Sequence, residues 1–173
     1  MRLIILGAGG YGKTVYDVAL QSEKYDDILF LDDNSTDSKV AGECADFEKY
    51  ISEDTEIYPA FGNNKGRLDW INKLLEMGAN VPTIIHPTSY ISPTVSLGVG
   101  TVVLPMAVVN TDTKVKRGVI VNCSAVIDHG CIIGDGVHVC LGAIVKAENK
   151  IPDCMKIEAG EVIENRKYPL ESE

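Results

Sequence analysis

From Ile85 onward every sixth residue is aliphatic: Ile85, Ile91, Leu97, Val103, Val109, Val115, Val121, Ile127, Ile133, Val139, Val145, Ile151, Ile157 and Ile163. An α-helix repeats its apolar stripe about every 3.6 residues and an amphipathic strand about every 2, so neither element produces this period. Six residues instead form one side of a prism. Three sides close a coil of about 18 residues whose short parallel strands stack on the coils above and below, a parallel β-helix. Four positions after each aliphatic the side chain is small or slim, as at Ser89, Val95, Thr101, Ala107, Thr113, Val119, Ala125, Cys131, Val137 and Ala143. The pattern lapses at Asn149, Met155 and Glu161, which reads as a terminal cap, because the last coil of a stack has no neighbour to cover it. Gly98, Asn110, Asn122, Asp128 and Gly134 directly follow aliphatics and are expected to turn the corners at positive φ.

Before the repeat the pattern is that of strands alternating with helices. Arg2 to Leu6 is an apolar run ending in Gly7-Ala8-Gly9-Gly10-Tyr11-Gly12-Lys13, and Val15, Val18 and Ala19 give Thr14 to Leu20 helical spacing. Asp27 to Leu31 is a second strand with Asp32 and Asp33 at its carboxyl end. Phe47 to Ile51 suits a short helix, and Ile57 to Phe61 a third strand. A helix capped by Asn63 or Asn64 then runs through Leu68, Ile71, Leu74 and Leu75 to Gly78, and Val81 to Ile85 reads as a fourth strand. The expected fold is therefore an α/β half-Rossmann parallel sheet over residues 1–85 followed by an all-β parallel β-helix over 86–163. Residues 164–173 are expected to form an irregular, partly disordered tail.

Composition narrows the partners. With 173 residues, 45% of them hydrophobic, the chain can bury a substantial core. A net charge of −9 argues against nucleic acid or an anionic membrane as partner, since both attract basic faces. The apolar run before Gly7 is too short for a signal peptide or a membrane span, which predicts a cytoplasmic protein. Cys44, Cys123, Cys131, Cys140 and Cys154 form no C-x-x-C pair and suit reduced thiols.

Two places carry candidate chemistry. Gly7, Gly9 and Gly12 are spaced as G-x-G-x-x-G between a strand and a helix, with Asp32 and Asp33 about 20 residues further on. Small residues there, including Gly10, let backbone N–H groups and a helix N-terminus approach a phosphate. Tyr11 lies in the same turn, and Asn63, Asn64 and Arg67 follow the third strand onto the same carboxyl edge of the sheet. The second place is His129, near a corner of the prism, with His138 half a coil further on. His129 is open to three readings: metal ligand, packing or solvated residue, and general base. A metal site needs three or four ligands, and no metal is expected here.

Ile5 to Lys13 (ILGAGGYGK), Phe61 to Arg67 (FGNNKGR), His86-Pro87 and Val121 to Val139 (VNCSAVIDHGCIIGDGVHV) resemble the NeuD/PglD-type sugar acetyltransferases over most of the chain. The resemblance implies a left-handed β-helix, acetyl-CoA as acyl donor, a nucleotide sugar as acceptor, and a homotrimer with sites between neighbouring β-helices. It matches His129 to the family's general base, Asp128 to the acidic residue before it, and Asn122 to the asparagine upstream. His138 matches the second histidine near the thioester, and Gly142, Ala143 and Ala147 the cofactor-binding stretch. Gly130 stands where family members carry an acidic residue, and Ala147 where they carry glycine. Two further functions remain open: a trimeric nucleotide-sugar-binding module without acetyl transfer, and a nicotinamide oxidoreductase suggested by the glycine motif alone.

Overall fold

In a computed structural model, which describes residues 1–170, the chain opens with β1 (Arg2–Leu6), α1 (Gly10–Gln21), β2 (Asp27–Leu31), a 3-10 helix at Cys44–Tyr50, β3 (Thr55–Pro59) and α2 (Asn64–Glu76). The strands form a parallel sheet in the order β2-β1-β3. Alternate residues of β1 serve opposite layers. Leu3 and Ile5 pack with Val15 and Val18 of α1, while Ile4 and Leu6 pack with Phe47, Ile71 and Leu74. Both faces are covered, which is why the strand reads as an unbroken apolar run.

The sheet has three strands and not the four expected. Ile84–Ile85, placed by the sequence reading in a fourth strand over Val81 to Ile85, pairs with Val102–Val103 and opens the prism instead. Asn80 alone reaches back, forming an isolated parallel bridge to Glu56. The first helix also starts earlier than Thr14. Gly12 lies inside α1 because the helix crosses β1 closely, and a Cβ there would sit 2.0 Å from the Gly7 carbonyl oxygen.

The second domain is a left-handed parallel β-helix of fourteen two-residue strands. Its first face holds Ile84–Ile85, Val102–Val103, Ile120–Val121, His138–Val139 and Lys156–Ile157. The second holds Tyr90–Ile91, Val108–Val109, Val126–Ile127, Ile144–Val145 and Val162–Ile163, and the third Ser96–Leu97, Lys114–Val115, Ile132–Ile133 and Lys150–Ile151. Each strand up to Ile144–Val145 pairs with the one a full coil later, as in Ile120↔His138. The second residue of each strand points inward, and from Val103 to Ile163 these aliphatics form a continuous core.

The corners turn at a different residue from the one expected. Positive φ recurs three residues after the aliphatic, at Gly100, Met106, Asp112, Gly118, Ser124, Gly130, Gly136, Gly142, Glu148, Cys154, Gly160 and Arg166. Gly98 and Gly134 answer to close approach instead: a Cβ on Gly98 would lie 2.4 Å from the Lys116 carbonyl carbon, and one on Gly134 2.5 Å from the Asp153 carboxylate. The cap is where the lapse in the pattern put it. Asn149 is fully buried and donates to the carbonyls of Lys146 and Glu164, while its own oxygen accepts from the Tyr168 N–H. Residues 164–170, expected to be irregular, are thereby fastened over the end of the prism, and Pro169 forms a bridge to Asn149. The rest of the expected tail, 171–173, lies outside the described residues.

The two domains share one apolar layer. Ile84, Val102, Leu104 and Ile120 on the first face join the cluster formed by Ile5, Phe30, Tyr58 and Ala60. On the other side of the sheet, α2 runs along a corner of the prism, with Ile71 against Gly100 and Gly118.

Candidate active site

His129 leaves the second face at its corner with the third. Its backbone N–H donates to Asp128 Oδ1 at 2.7 Å, and its Nδ1 lies 3.1 Å from the same oxygen. Asn110, one coil earlier, donates to that oxygen at 3.3 Å. These bonds, the backbone one first, hold the Asp128 carboxyl below its usual range against the opposing effect of burial. A carboxylate acceptor at Nδ1 places the imidazole proton there and leaves Nε2 as an open lone pair. The histidine side chain is 58% exposed, so Nε2 faces solvent at the edge of the second face. Asp128 therefore serves His129 of its own chain, by way of the corner turn.

Asn122 and His138 form a second pair, His138 on the first face and Asn122 at the corner where that face passes into the second. The Asn122 amide nitrogen lies 3.0 Å from His138 Nε2, and its oxygen accepts from the Cys123 N–H, which fixes the amide's orientation. An amide N–H donating to Nε2 leaves the imidazole proton on Nδ1. Burial, with the charges of Arg67 and Lys156, pushes the His138 pKa down to about 4, so the ring is neutral at physiological pH. Among the described residues Nδ1–H has no hydrogen-bond partner. One chain thus carries an acceptor at one corner of the second face and a donor beyond the other corner.

The cofactor-binding stretch divides. Ala143 has its side chain in the prism core, its N–H on Cys140 and its carbonyl on Val126, so it has nothing left to offer a ligand. Gly142 is exposed, with its N–H on the Cys123 carbonyl. Ala147 stacks one coil beyond His129, and its N–H bonds to no described residue. Glu148, beside it, donates its N–H to the His129 carbonyl and lies over Gly130.

The glycine turn divides as well. Gly7 and Gly12 answer to the fold: Gly7 has φ near +99°, and Gly12 packs on it. A Cβ at Gly9 or Gly10 would meet nothing within 4 Å, so the missing side chains leave the start of α1 open. Asp32 spends its carboxylate on three backbone N–H groups, those of Ala8, Asn34 and Ser35, which lower its pKa and hold the turn. Asp33 accepts from Cys44 N–H at 2.8 Å and is otherwise exposed.

Four expected ligand residues have internal duties. The Tyr11 hydroxyl is 2.7 Å from that of Tyr58, buried between the domains, and burial raises the pKa of both phenols. Asn63 caps α2 by accepting from Gly66 N–H. Asn64 donates to the carbonyls of Cys154 and Met155. Arg67 is fully buried and donates to the carbonyls of Phe61, Gly118 and Gly136. The sequence reading put Arg67 after the third strand at the carboxyl edge of the sheet; it lies in the first turn of α2, where the prism stands against the helix and takes its donors.

Sequence reasoning missed the outward side of the second face. There Tyr90, Val108, Val126, Ile144 and Val162 form an apolar column, whereas the third face presents Ser96, Lys114, Ile132 and Lys150. The signal was present in the residue before each core aliphatic, read every eighteenth position. Among the described residues no group of three His, Cys, Asp or Glu is placed to hold a metal, and no helix is long and apolar enough to cross a membrane.

The fold is that of a hexapeptide-repeat acyltransferase with an N-terminal α/β domain. The family model described as the PglD N-terminal domain matches residues 2–74. The acetyltransferase domain of PglB from Neisseria gonorrhoeae is 34% identical, with 93% of this chain and 81% of that one covered and a TM-score of 0.89. The same domain in complex with acetyl coenzyme A gives a TM-score of 0.90, at 34% identity over 93% of this chain and 80% of that one. A variant of perosamine N-acetyltransferase from Caulobacter crescentus, in complex with CoA and GDP-perosamine, shares the fold at 21% identity, a TM-score of 0.81 and coverage of 95% and 89%. No curated protein matches the chain. The chain belongs to the NeuD/PglD-type sugar acetyltransferases.

Proposed function

We propose that this chain transfers the acetyl group of acetyl-CoA to an amino or hydroxyl group of a nucleotide-linked sugar, with His129 as general base. The observation that carries the reading is the His129 imidazole, oriented through Nδ1 by Asp128 with Nε2 open. Bound acetyl coenzyme A in the Neisseria domain, and CoA with GDP-perosamine in the Caulobacter enzyme, support the donor and the acceptor class. The acceptor's lone pair attacks the thioester carbonyl carbon as His129 Nε2 takes its proton. The tetrahedral oxyanion then collapses, the carbon–sulfur bond breaks, and the proton passes to the CoA thiolate. Asp128 stabilises the imidazolium formed on the way. The free His138 Nδ1–H and Ala147 N–H are donors available to the oxyanion.

The donor and acceptor edges lie on opposite sides of the second face, so a complete site needs a second subunit. The apolar column supports a homotrimer in which neighbouring prisms meet there. Gly9 and Gly10, at the N-terminus of α1, are the proposed pyrophosphate contacts, with Asp33 toward the nucleoside. The test is release of CoA thiol from acetyl-CoA across a panel of nucleotide-linked amino sugars. His129→Ala is expected to lower kcat by about 10² to 10⁴-fold with nucleotide-sugar affinity nearly unchanged. Retention of more than about a third of kcat would leave positioning alone as the source of rate.

A further inference from the structure

Arg67 is the largest fully buried side chain, and none of its partners is an anion. Nε donates to the Gly118 carbonyl at 2.9 Å, Nη1 to Phe61 at 3.1 Å, and Nη2 to Asn64 Oδ1 at 3.1 Å and to the Gly136 carbonyl at 2.9 Å. A guanidinium keeps its charge throughout the physiological range, and burying one without a counter-ion is costly. Tying α2 to two coils requires donors, which a neutral side chain could supply at lower cost. The charge itself therefore calls for a reason.

Its position supplies one. Gly118 and Gly136 stand two residues before Ile120 and His138, which pair across adjacent coils of the first face. The guanidinium is thus bonded two residues from His138, at the corner that leads into the strand presenting it. The groups acting on that imidazole are Arg67 from α2 and, from the next coil, Lys156 and Glu158; Asn122 beside it is neutral. Lys156 is exposed and paired with Glu158 at 2.9 Å, so its charge is largely screened, whereas that of Arg67 is dry.

We propose that Arg67 is a positioning residue for acetyl transfer, its buried uncompensated charge acting through His138 to stabilise the oxyanion formed at the thioester carbon. The inference rests on the reading above, in which His138 Nδ1–H faces that oxygen. A fixed cation near the ring adds to burial in keeping the imidazole neutral and strengthens its N–H as a donor while negative charge develops at the oxyanion. Together with burial it accounts for the depressed His138 pKa.

The experiment compares R67K, which keeps the charge and loses part of the clamp, with R67Q, which keeps donors and loses the charge. R67Q is expected to lower kcat by about tenfold with both KM values within about twofold, and R67K to retain at least about a third of kcat. The His138 titration, followed by imidazole NMR, should move upward in R67Q and stay in place in R67K. Equal losses in the two variants with no movement of that titration would overturn the proposal and leave Arg67 a clamp. R67M serves if R67Q does not fold, and failure of both neutral variants to fold overturns it too, since the charge would then serve the fold. H138A separates the layers: full activity there removes the donor reading itself, whereas loss there beside an active R67Q removes only the role of Arg67.

Discussion

The first three strands of the first face and the whole of the second present apolar residues outward and meet different fates. Ile84, Val102 and Ile120 on the first are at most 2% exposed, under the chain's own N-terminal domain. Tyr90, Ile144 and Val162 on the second are 55%, 36% and 41% exposed in a single subunit. The third face, with Ser96, Lys114 and Lys150, shows what the same repeat writes on a wall meant for water. In a hexapeptide repeat the inward residue encodes the coil, and the outward residue encodes whether that wall will be covered. The second wall carries the signature of cover that the chain does not itself supply.

Breaking that signature should have the largest effect. Val126→Lys puts a charge at the centre of the second face, where a trimer would have to bury it, and turnover should fall to background as the protein becomes monomeric. Ile132→Lys, the matched change on the third face, should leave both assembly and turnover as they are. Sedimentation velocity at micromolar concentration reads the outcome directly. An active, trimeric Val126→Lys protein would move the interface away from this face.

The glycine turn repeats the comparison at the scale of one atom. Gly12 is covered and Gly10 is not, so an added methyl should act on stability at one and on binding at the other. Gly12→Ala forces α1 away from β1 and is expected to cost about 3 kcal/mol or more in urea unfolding. Gly10→Ala should leave the unfolding midpoint in place while weakening nucleotide-sugar binding by calorimetry. Equal midpoints for the two variants would show that α1 shifts freely to make room.

These contrasts mark how far the sequence could be read. The inward aliphatics, the strand–glycine–helix opening and the Asn149 cap were all legible, because each depends on a period or a local rule. Arg67 was not. Its neighbours in sequence place it at the carboxyl edge of the sheet, and only the docking of α2 on the prism turns its donors toward Gly118 and Gly136. The fourth strand failed for a related reason, since Ile84–Ile85 has two candidate sheets and its hydrogen bonds go to the coil above. Asp128 and His129 are adjacent in the chain, yet their contact needs a corner that simple strand alternation would have denied.

The ends of the prism offer a third contrast, of smaller size. At the far end Asn149 holds residues 164–170 over the last coil, while at the near end Ile85 remains 39% exposed. Asn149→Ala leaves the Tyr168 N–H without its acceptor and removes a second donor from the Lys146 and Glu164 carbonyls, and should cost about 1–3 kcal/mol. Limited proteolysis should then cut between 164 and 170 first, and an unchanged cleavage pattern would show that the tail is held by something other than this side chain.

The effect that vanishes at physiological pH lies at the border between the covered and open parts of the first face, where His138 follows Ile120. Its pKa is about 4 in the folded chain against an ordinary value of 6.5. Between those two values the unfolded chain binds more protons than the folded one, so stability rises with pH across that window and is lost progressively as pH falls through it. Above about pH 6.5 the ring is neutral in both states and contributes no slope. His138→Gln removes the titration while keeping a polar side chain beside Asn122. The variant's unfolding free energy should therefore be flatter than the wild type's between about pH 4 and 6.5, with the two curves parallel at higher pH. Curves that stay parallel down to pH 4 would mean that the His138 ring is more open to water than its place under the N-terminal domain implies.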